Sequence, residues 1–463
     1  VTVVPRLDRR LIVGGALLLA SAPLSAVVAQ TPPNTAARDA FDRLKNMPLF
    51  GDRPVTFTVA GHARWREEFF RGFNTLPLND DHAQTRLLLA GDLEVGKRSG
   101  AYGRLFVEAR DAQSYGRTLP GGVRPNDADR ADFQTAYVDL GYGRSMLRVG
   151  RQEIGLARER LFGAPDWSNT RRSSQGSRLQ LVRGAFAFEA VEARPIVVRL
   201  RQPNLADSTQ RFRTLSIGSA PGARALHQAL PSLWQGYWYE QTVKPAGNPA
   251  ARAYRLTTGG RAQWQWGTAA TSHVQRSVEF EGARQSGTVG MRSINAWFWV
   301  TEGALQWKRT RGAPSLALGV EEASAEQRGT DSALEQFTVL YPAAHQHGGY
   351  ADVIGRPNIR ELHAISVWDP LTSLNLRAAL YHFDRLRTDD GVYTKQNTVF
   401  RAAGSSEARH VADELDITGT WRATRHLRLI FGGALVVPGA FLKETLTSSE
   451  TERWGFVGTT YQF

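Results

Sequence analysis

Cysteine is absent from this chain of 463 residues. No disulfide can staple the fold, so backbone pairing has to close it. Lysine is scarce: only six of the 57 basic residues are lysine, and the rest are arginine. Beyond residue 29, no apolar run approaches the roughly 18–20 residues of a spanning helix. Gly-x-Ser-x-Gly does not occur, Ser and His are scattered, and no glycine-rich phosphate loop opens a helix. No catalytic constellation is therefore legible, and the expected function is not enzymatic. A net charge of +13 cannot sit against lipid, so a membrane reading must place it in an aqueous interior or in loops.

What is present begins with an export pattern. Arg6, Arg9 and Arg10 precede a short apolar stretch over 11–20, and Val27-Val28-Ala29 supplies small residues at a cleavage position. Residues 1–29 read as a secretory signal peptide, too short in its apolar part to anchor. Export makes a nucleic-acid partner unexpected despite the high charge. Residues 30–54 read as a polar periplasmic lead-in, and 55–463 as one unit with no convincing linker.

Within that unit the dominant signal is alternation. Over 55–70, Val55, Phe57, Val59, Ala63 and Trp65 share one face, and Thr56, Thr58, His62, Arg64 and Arg66 the other. Over 85–95, Leu87, Leu89, Leu93 and Val95 oppose Arg86, Asp92 and Glu94. Over 102–110, Leu105, Val107 and Ala109 oppose Arg104, Phe106, Glu108 and Arg110. Period two means strands, and a strand that meets lipid on one face keeps its mean hydropathy low. The final segment alternates too: Tyr461, Thr459, Val457 and Gly455 against Gln462, Thr460 and Gly458, with Phe463 last. It resembles the closing strand of a bacterial outer-membrane barrel, the element read by the barrel-assembly machinery. At roughly 22–26 residues per strand with its connection, the exported part makes about 16–18 strands. The expected fold is all-β: a transmembrane antiparallel up-and-down barrel in the outer membrane of a Gram-negative cell, in contact with lipid and lipopolysaccharide. Polar stretches at 112–132, 201–231, 323–360 and 385–413 are expected to include long extracellular loops. Trp234, Tyr237, Trp238, Tyr239, Trp264, Trp266, Trp297, Phe298 and Trp299 fit interfacial girdles, with stacking on sugar rings inside the channel as the alternative.

The most polar information lies over 146–181. Arg148 and Gly150 continue an inward face, then Arg151 breaks the pattern by a bulge or by leaving the hydrocarbon zone. Glu153, Arg158, Glu159, Arg160, Asp166, Asn169, Arg171 and Arg172 follow. Such a mixture either presents surplus positive charge to a polyanion or neutralises itself and rigidifies a loop. No cofactor is expected. Ca²⁺ on outer loops has two candidate stretches, Asp80-Asp81-His82 and Thr388-Asp389-Asp390-Gly391, and solvated turns are the plainer reading. His345 and His347 lack a third metal ligand nearby.

RVGRQEIG followed by NTRRSSQGSRL is similar to the alginate export family of outer-membrane porins. RLLLAGDLEVG, FQTAYVDLG, the stretch from Leu340-Tyr341-Pro342 to Gly355-Arg356-Pro357-Asn358, and HVADELDITGTWRATRHLRL with PGAFLKET agree in order and spacing. His345-Gln346-His347 departs from a more aromatic family pattern. The resemblance implies a monomeric barrel of about 18 strands that passes an anionic polyuronate, working with periplasmic polysaccharide-secretion proteins. It implies pore-lining roles for Arg64, Arg86, Arg104, Arg148, Arg151, Arg171 and Arg172, with Glu153 and Asn169 orienting them. The rival expectation is a diffusion porin for small carboxylated solutes or oligouronates.

Overall fold

The computed structural model describes residues 39–51, 53–222, 230–245, 247–248, 252–267, 272–327 and 333–463. The expected signal segment lies outside them. Eighteen strands form the wall: β1 (Val55–Arg71), β2 (Asn79–Gly96), β3 (Ala101–Tyr115), β4 (Asp129–Tyr142), β5 (Ser145–Gln152), β6 (Ser174–Arg183), β7 (Phe186–Val197), β8 (Gln210–Ser219) and β9 (Leu233–Val243). The other half comprises β10 (Ala253–Trp266), β11 (Val274–Val289), β12 (Arg292–Trp307), β13 (Ser315–Ala323), β14 (Ile359–Leu371), β15 (Leu374–Arg385), β16 (His410–Arg422), β17 (Leu427–Pro438) and β18 (Glu452–Gln462). Each strand pairs antiparallel with the next, and β1 pairs with β18 from His62↔Gln462 to Arg71↔Arg453. Closure leaves no wall edge with unpaired amides, as a lipid-facing sheet requires.

Alternation does the sorting. Leu87 and Leu89 are exposed while their neighbours Arg86 and Leu88 are buried. The same outward belt continues through Leu105, Leu140, Val149, Ile217, Leu318, Leu380 and Ile417. The rim that receives the lead-in has short turns, such as 143–144, 184–185 and 372–373. On it Phe41 stacks on Phe463 at 4.9 Å and Lys45 Nζ donates to Val59 O at 2.9 Å. The opposite rim carries the long connections 116–128, 153–173, 324–358, 386–409 and 439–451.

One expected loop is not a loop. The stretch 201–231 contains the short strand Leu205–Ala206 and the whole of β8. In β8 only Leu215 and Ile217 are exposed aliphatics, too few to stand out from polar neighbours. The aromatics also divide. Trp234, Trp238, Trp297 and Trp299 share the outward parity, whereas Tyr237, Tyr239 and Phe298 point inward and are buried. They join Val191, Phe212, Ile294 and Val300 in an apolar lining of β7–β13. The interior is thus not uniformly arginine-bearing.

Candidate functional site: a luminal loop held between two charged arcs

Strands β1–β5 turn Arg64, Arg66, Arg86, Arg104, Arg110 and Arg148 inward. The connection 153–173 folds onto this arc and presents oxygens to it. Arg64 donates to Asp166 O at 2.8 Å, Trp167 O at 3.2 Å and Asn169 Oδ1 at 3.0 Å. Arg66 donates to Trp167 O at 2.8 Å and lies over the Trp167 ring at 4.0 Å. Arg86 donates to Asp166 Oδ1 at 2.6 Å and to Ser168 O at 3.2 Å. Asn169, fully buried, returns its amide to Thr85 O, Gln113 O and Asp127 O at 2.9–3.0 Å. Glu153 accepts from Arg171 and, at 2.7 Å, from Gln134. Burial works against the Asp166 charge, but the fields of Arg86, Arg171 and Arg64 outweigh it and hold the carboxyl well below its usual range.

Of the nine residues singled out by sequence, five therefore meet at one place: Arg64, Arg86, Glu153, Asn169 and Arg171. Arg104 and Arg148 form a neighbouring cluster deeper along the wall. Arg104 pairs with Asp92 at 2.7 Å, Arg148 pairs with Asp139 at 2.7 Å, and Arg148 stacks on Tyr137 at 3.7 Å. Arg172 sits apart, donating to Gly163 O at 2.7 Å and Pro342 O at 3.1 Å. Arg151 shares the outward parity of Leu147 and Val149; it pairs with Asp132 at 3.0 Å and caps Asn204 O at 3.1 Å near the rim. It stands outside the bore because the register of β5 runs unbroken through it, with no bulge to turn it inward.

The opposite arc was not read from sequence. Strands β11–β16 turn carboxylates inward, and the long connections answer with donors. Glu279 accepts from Arg158 at 3.0 Å, Arg160 at 3.2 Å and Arg261 at 3.3 Å. Glu321 pairs with Arg356, whose NH1 also donates to Arg160 O at 2.6 Å. His363 lies between Glu302 at 3.2 Å and Glu361 at 2.9 Å. Glu414 and Asp416 accept from the amides of Ala351 at 2.7 Å and Tyr350 at 3.1 Å. The available signal was alternating acids, Glu279-Phe280-Glu281 and Glu414-Leu415-Asp416. Apart from Arg261 on the adjoining strand, their partners lie more than a hundred residues away (Arg158 and Arg160) or in a loop with no periodicity (Tyr350 and Ala351).

His345 and His347 go separate ways. His345 contacts Tyr350 O, and His347 Nε2 lies 2.8 Å from Arg158 O. Burial, with Arg160, Arg158 and Arg356 nearby, holds the His347 ring well below its ordinary basicity. In the first candidate Ca²⁺ stretch, Asp80 is buried against Thr118 while Asp81 faces out and pairs with Arg71 at 2.6 Å. In the second, Asp390 accepts from Tyr393 Oη at 2.7 Å and from Glu326 N at 2.8 Å.

Between the connections lies a polar cavity of about 160 Å³. Arg171, Arg172 and Lys395 line it together with Asn126, Ser168, Thr170, Ser173 and Gln396, and no carboxylate does. Lys395 Nζ donates to Gly348 O at 2.6 Å, and its nearest carboxylate, Asp352, stands 3.6 Å away.

Three comparisons bear on this architecture. No curated protein matches the chain. Solved structures share the fold at low identity, among them several from Pseudomonas aeruginosa. OccK2 (OpdF) in complex with glucuronate matches with a TM-score of 0.59 at 11% identity, over 88% of this chain and 98% of its own. OccK8 (OprE) matches with 0.58 at 9% identity over 88% and 98%, and OccK11 (OpdR) with 0.54 at 14% over 88% and 96%. The alginate export profile matches residues 55–456, nearly the whole wall from the first strand to Phe456 in the last. Sequence profile and closed wall agree: this chain belongs to the alginate export family, whose fold is that of an outer-membrane channel.

Proposed function

We propose that the protein conducts an anionic, uronate-containing polysaccharide across the outer membrane of a Gram-negative cell, as a channel and not as an enzyme. The observation that carries this reading is the cavity lined by Arg171, Arg172 and Lys395 without a lining carboxylate. Arg171 is itself paired with Glu153, and Lys395 stands 3.6 Å from Asp352, so the cation of this cleft that has no acid partner among the described residues is Arg172. A fixed cationic group beside a water path attracts anions and repels cations through its field. Arg172 suits the task because its hydrogen bonds go to carbonyls, which leave its charge unneutralised. Each contact has to stay weak enough for release, so a few cations in a polar cleft serve better than one tight pocket. The likeness to OccK2, solved with glucuronate, is consistent with a lumen of this shape admitting uronates.

The test is conductance of the purified protein in a planar bilayer. Oligouronate is expected to block anion current, with block weakening about tenfold in Arg172→Gln/Lys395→Gln, the equivalent of ~1.4 kcal/mol. Block by monomeric uronate as strong as by the oligomer would replace this reading with small-solute diffusion. Indifference to both would remove it.

A further inference from the structure

On the outer face of the barrel, where β15 and β16 approach the loop-rich rim, a second chemistry is present. The register sets His382 opposite Asp413 and Asp384 opposite His410, with an irregularity between Phe383 and Asp384. That irregularity is decisive. It inserts Val411 as an extra residue on β16, so that His410 reaches the same face as Asp413, three residues on. A bulge re-aims a side chain in just this manner.

The atoms converge. His382 Nδ1 lies 2.6 Å from Asp413 Oδ1, and His410 Nε2 lies 3.1 Å from Asp413 Oδ2. The two rings stack at 4.8 Å with 22° between their planes, which aims one nitrogen of each at the same carboxylate. One ligand atom from each of the three residues can be chosen with all of them within 4.8 Å of one another. A tetrahedral ion with bonds of about 2.0–2.1 Å has ligand-to-ligand edges near 3.3 Å, so small side-chain adjustments suffice. Asp384 completes the arrangement from behind: its Oδ2 lies 3.3 Å from His382 Nε2. A carboxylate there accepts a hydrogen bond from Nε2–H and leaves the Nδ1 lone pair for an ion, the outer support typical of metal-bound imidazole. Gly439 lets the following connection pass close to His410, since a Cβ at that position would come within 2.6 Å of His410 O and 2.8 Å of His410 Cγ.

We infer that His382, His410 and Asp413 form a binding site for a divalent transition-metal ion of the Zn²⁺ type, open at its fourth position. Two imidazoles and one carboxylate favour zinc, nickel or copper over calcium, which takes oxygens. The side chains of His382, His410 and Asp413 are 41%, 37% and 51% exposed, while His410 Nε2 is itself buried and makes no hydrogen bond among the described residues. The site is separate from the luminal loop and does not depend on the proposed transport role.

The test uses the full-length barrel in detergent, freed of any affinity tag and stripped with chelator, then titrated with ZnCl₂ alone by calorimetry. One ion per chain is expected at micromolar affinity or better. Zinc-edge absorption should show two imidazole ligands. His410→Ala and His382→Ala are each expected to abolish binding, and Asp384→Asn to weaken it about 10–100-fold. Heat-modifiable gel mobility shows which variants are folded. Val411 and the wall pairing remain untouched in Asp384→Asn, so that variant keeps the inference decidable if a histidine variant misfolds. Absence of stoichiometric binding by the folded parent, equal binding by folded His410→Ala/His382→Ala, or unchanged affinity in Asp384→Asn would each overturn the assignment.

Discussion

On β1–β5 the wall supplies guanidinium groups and connection 153–173 supplies carbonyls, Asp166 and Asn169. On β11–β13 the wall supplies carboxylates, and the same connection supplies Arg158 and Arg160. The polarity is reversed across the bore, so the loop can dock in only one sense: turned end for end, Asp166 would meet Glu279, and Arg160 would meet Arg86. Charge pairs separated so far in sequence contribute orientation as well as energy. The pairs on both arcs are largely dry, where loss of one partner costs far more than the intact pair contributes.

The comparison can be broken most severely from the acidic side. Glu279→Ala leaves Arg158, Arg160 and Arg261 without their shared acceptor, and is expected to lower the opening free energy of connection 153–173 by about 3–5 kcal/mol. Native-state hydrogen exchange of its amides reads this directly; protection equal to that of the parent would show that the acidic arc does not hold the loop. Arg86→Ala acts from the other side, removing charge-assisted bonds to Asp166 and Ser168. A loss of about 2–3 kcal/mol is expected, smaller because Arg64 and Arg171 remain around Asp166.

The arcs should also separate by pH. The Asp166 carboxyl is depressed in the docked state, so its contribution is complete above the ordinary value of 3.8 and fails only as pH falls through the still lower docked value. His347 is depressed in the opposite chemical sense. Its docked form is neutral, so docking is complete above the ordinary 6.5 and weakens as pH drops below that, by at most about 1.4 kcal/mol per pH unit. In a His62→Gln background, which removes the imidazole buried against Arg86, exchange between pH 7 and pH 5 should quicken around His347 while the Asp166 turn keeps its protection. Equal acceleration at both would erase the distinction between the arcs. The smallest effect belongs to Arg151→Ala. Because that side chain lies outside the bore, anion selectivity in a bilayer should stay within error of the parent, and a measurable shift would return it to the lumen.

Sequence made the arginine arc legible because Arg64, Arg86 and Arg104 fall on period two against outward apolar positions such as Trp65, Leu87 and Leu105, and that pattern survives whatever lies opposite. Strand existence followed from the same alternation, and failed at β8, where Arg211 and Arg213 occupy outward positions before Leu215 and Ile217. The acidic arc escaped for a different reason. Glu279, Glu302 and Glu321 alternate as clearly as the arginines do, but their meaning depends on donors brought close only by barrel closure. Inward tyrosines at 237 and 239 were misplaced because Trp234 and Trp238, on the other face, dominate the same stretch.

One ring carries a practical consequence. Trp167 lies under the Arg66 guanidinium and edge-on to Trp454 and Phe456 at 5.4 and 4.8 Å. An indole so placed emits at short wavelength and shifts red on wetting. With the other eleven tryptophans exchanged for phenylalanine, its fluorescence would report in real time whether connection 153–173 is docked against the wall, using a chromophore the polypeptide already owns.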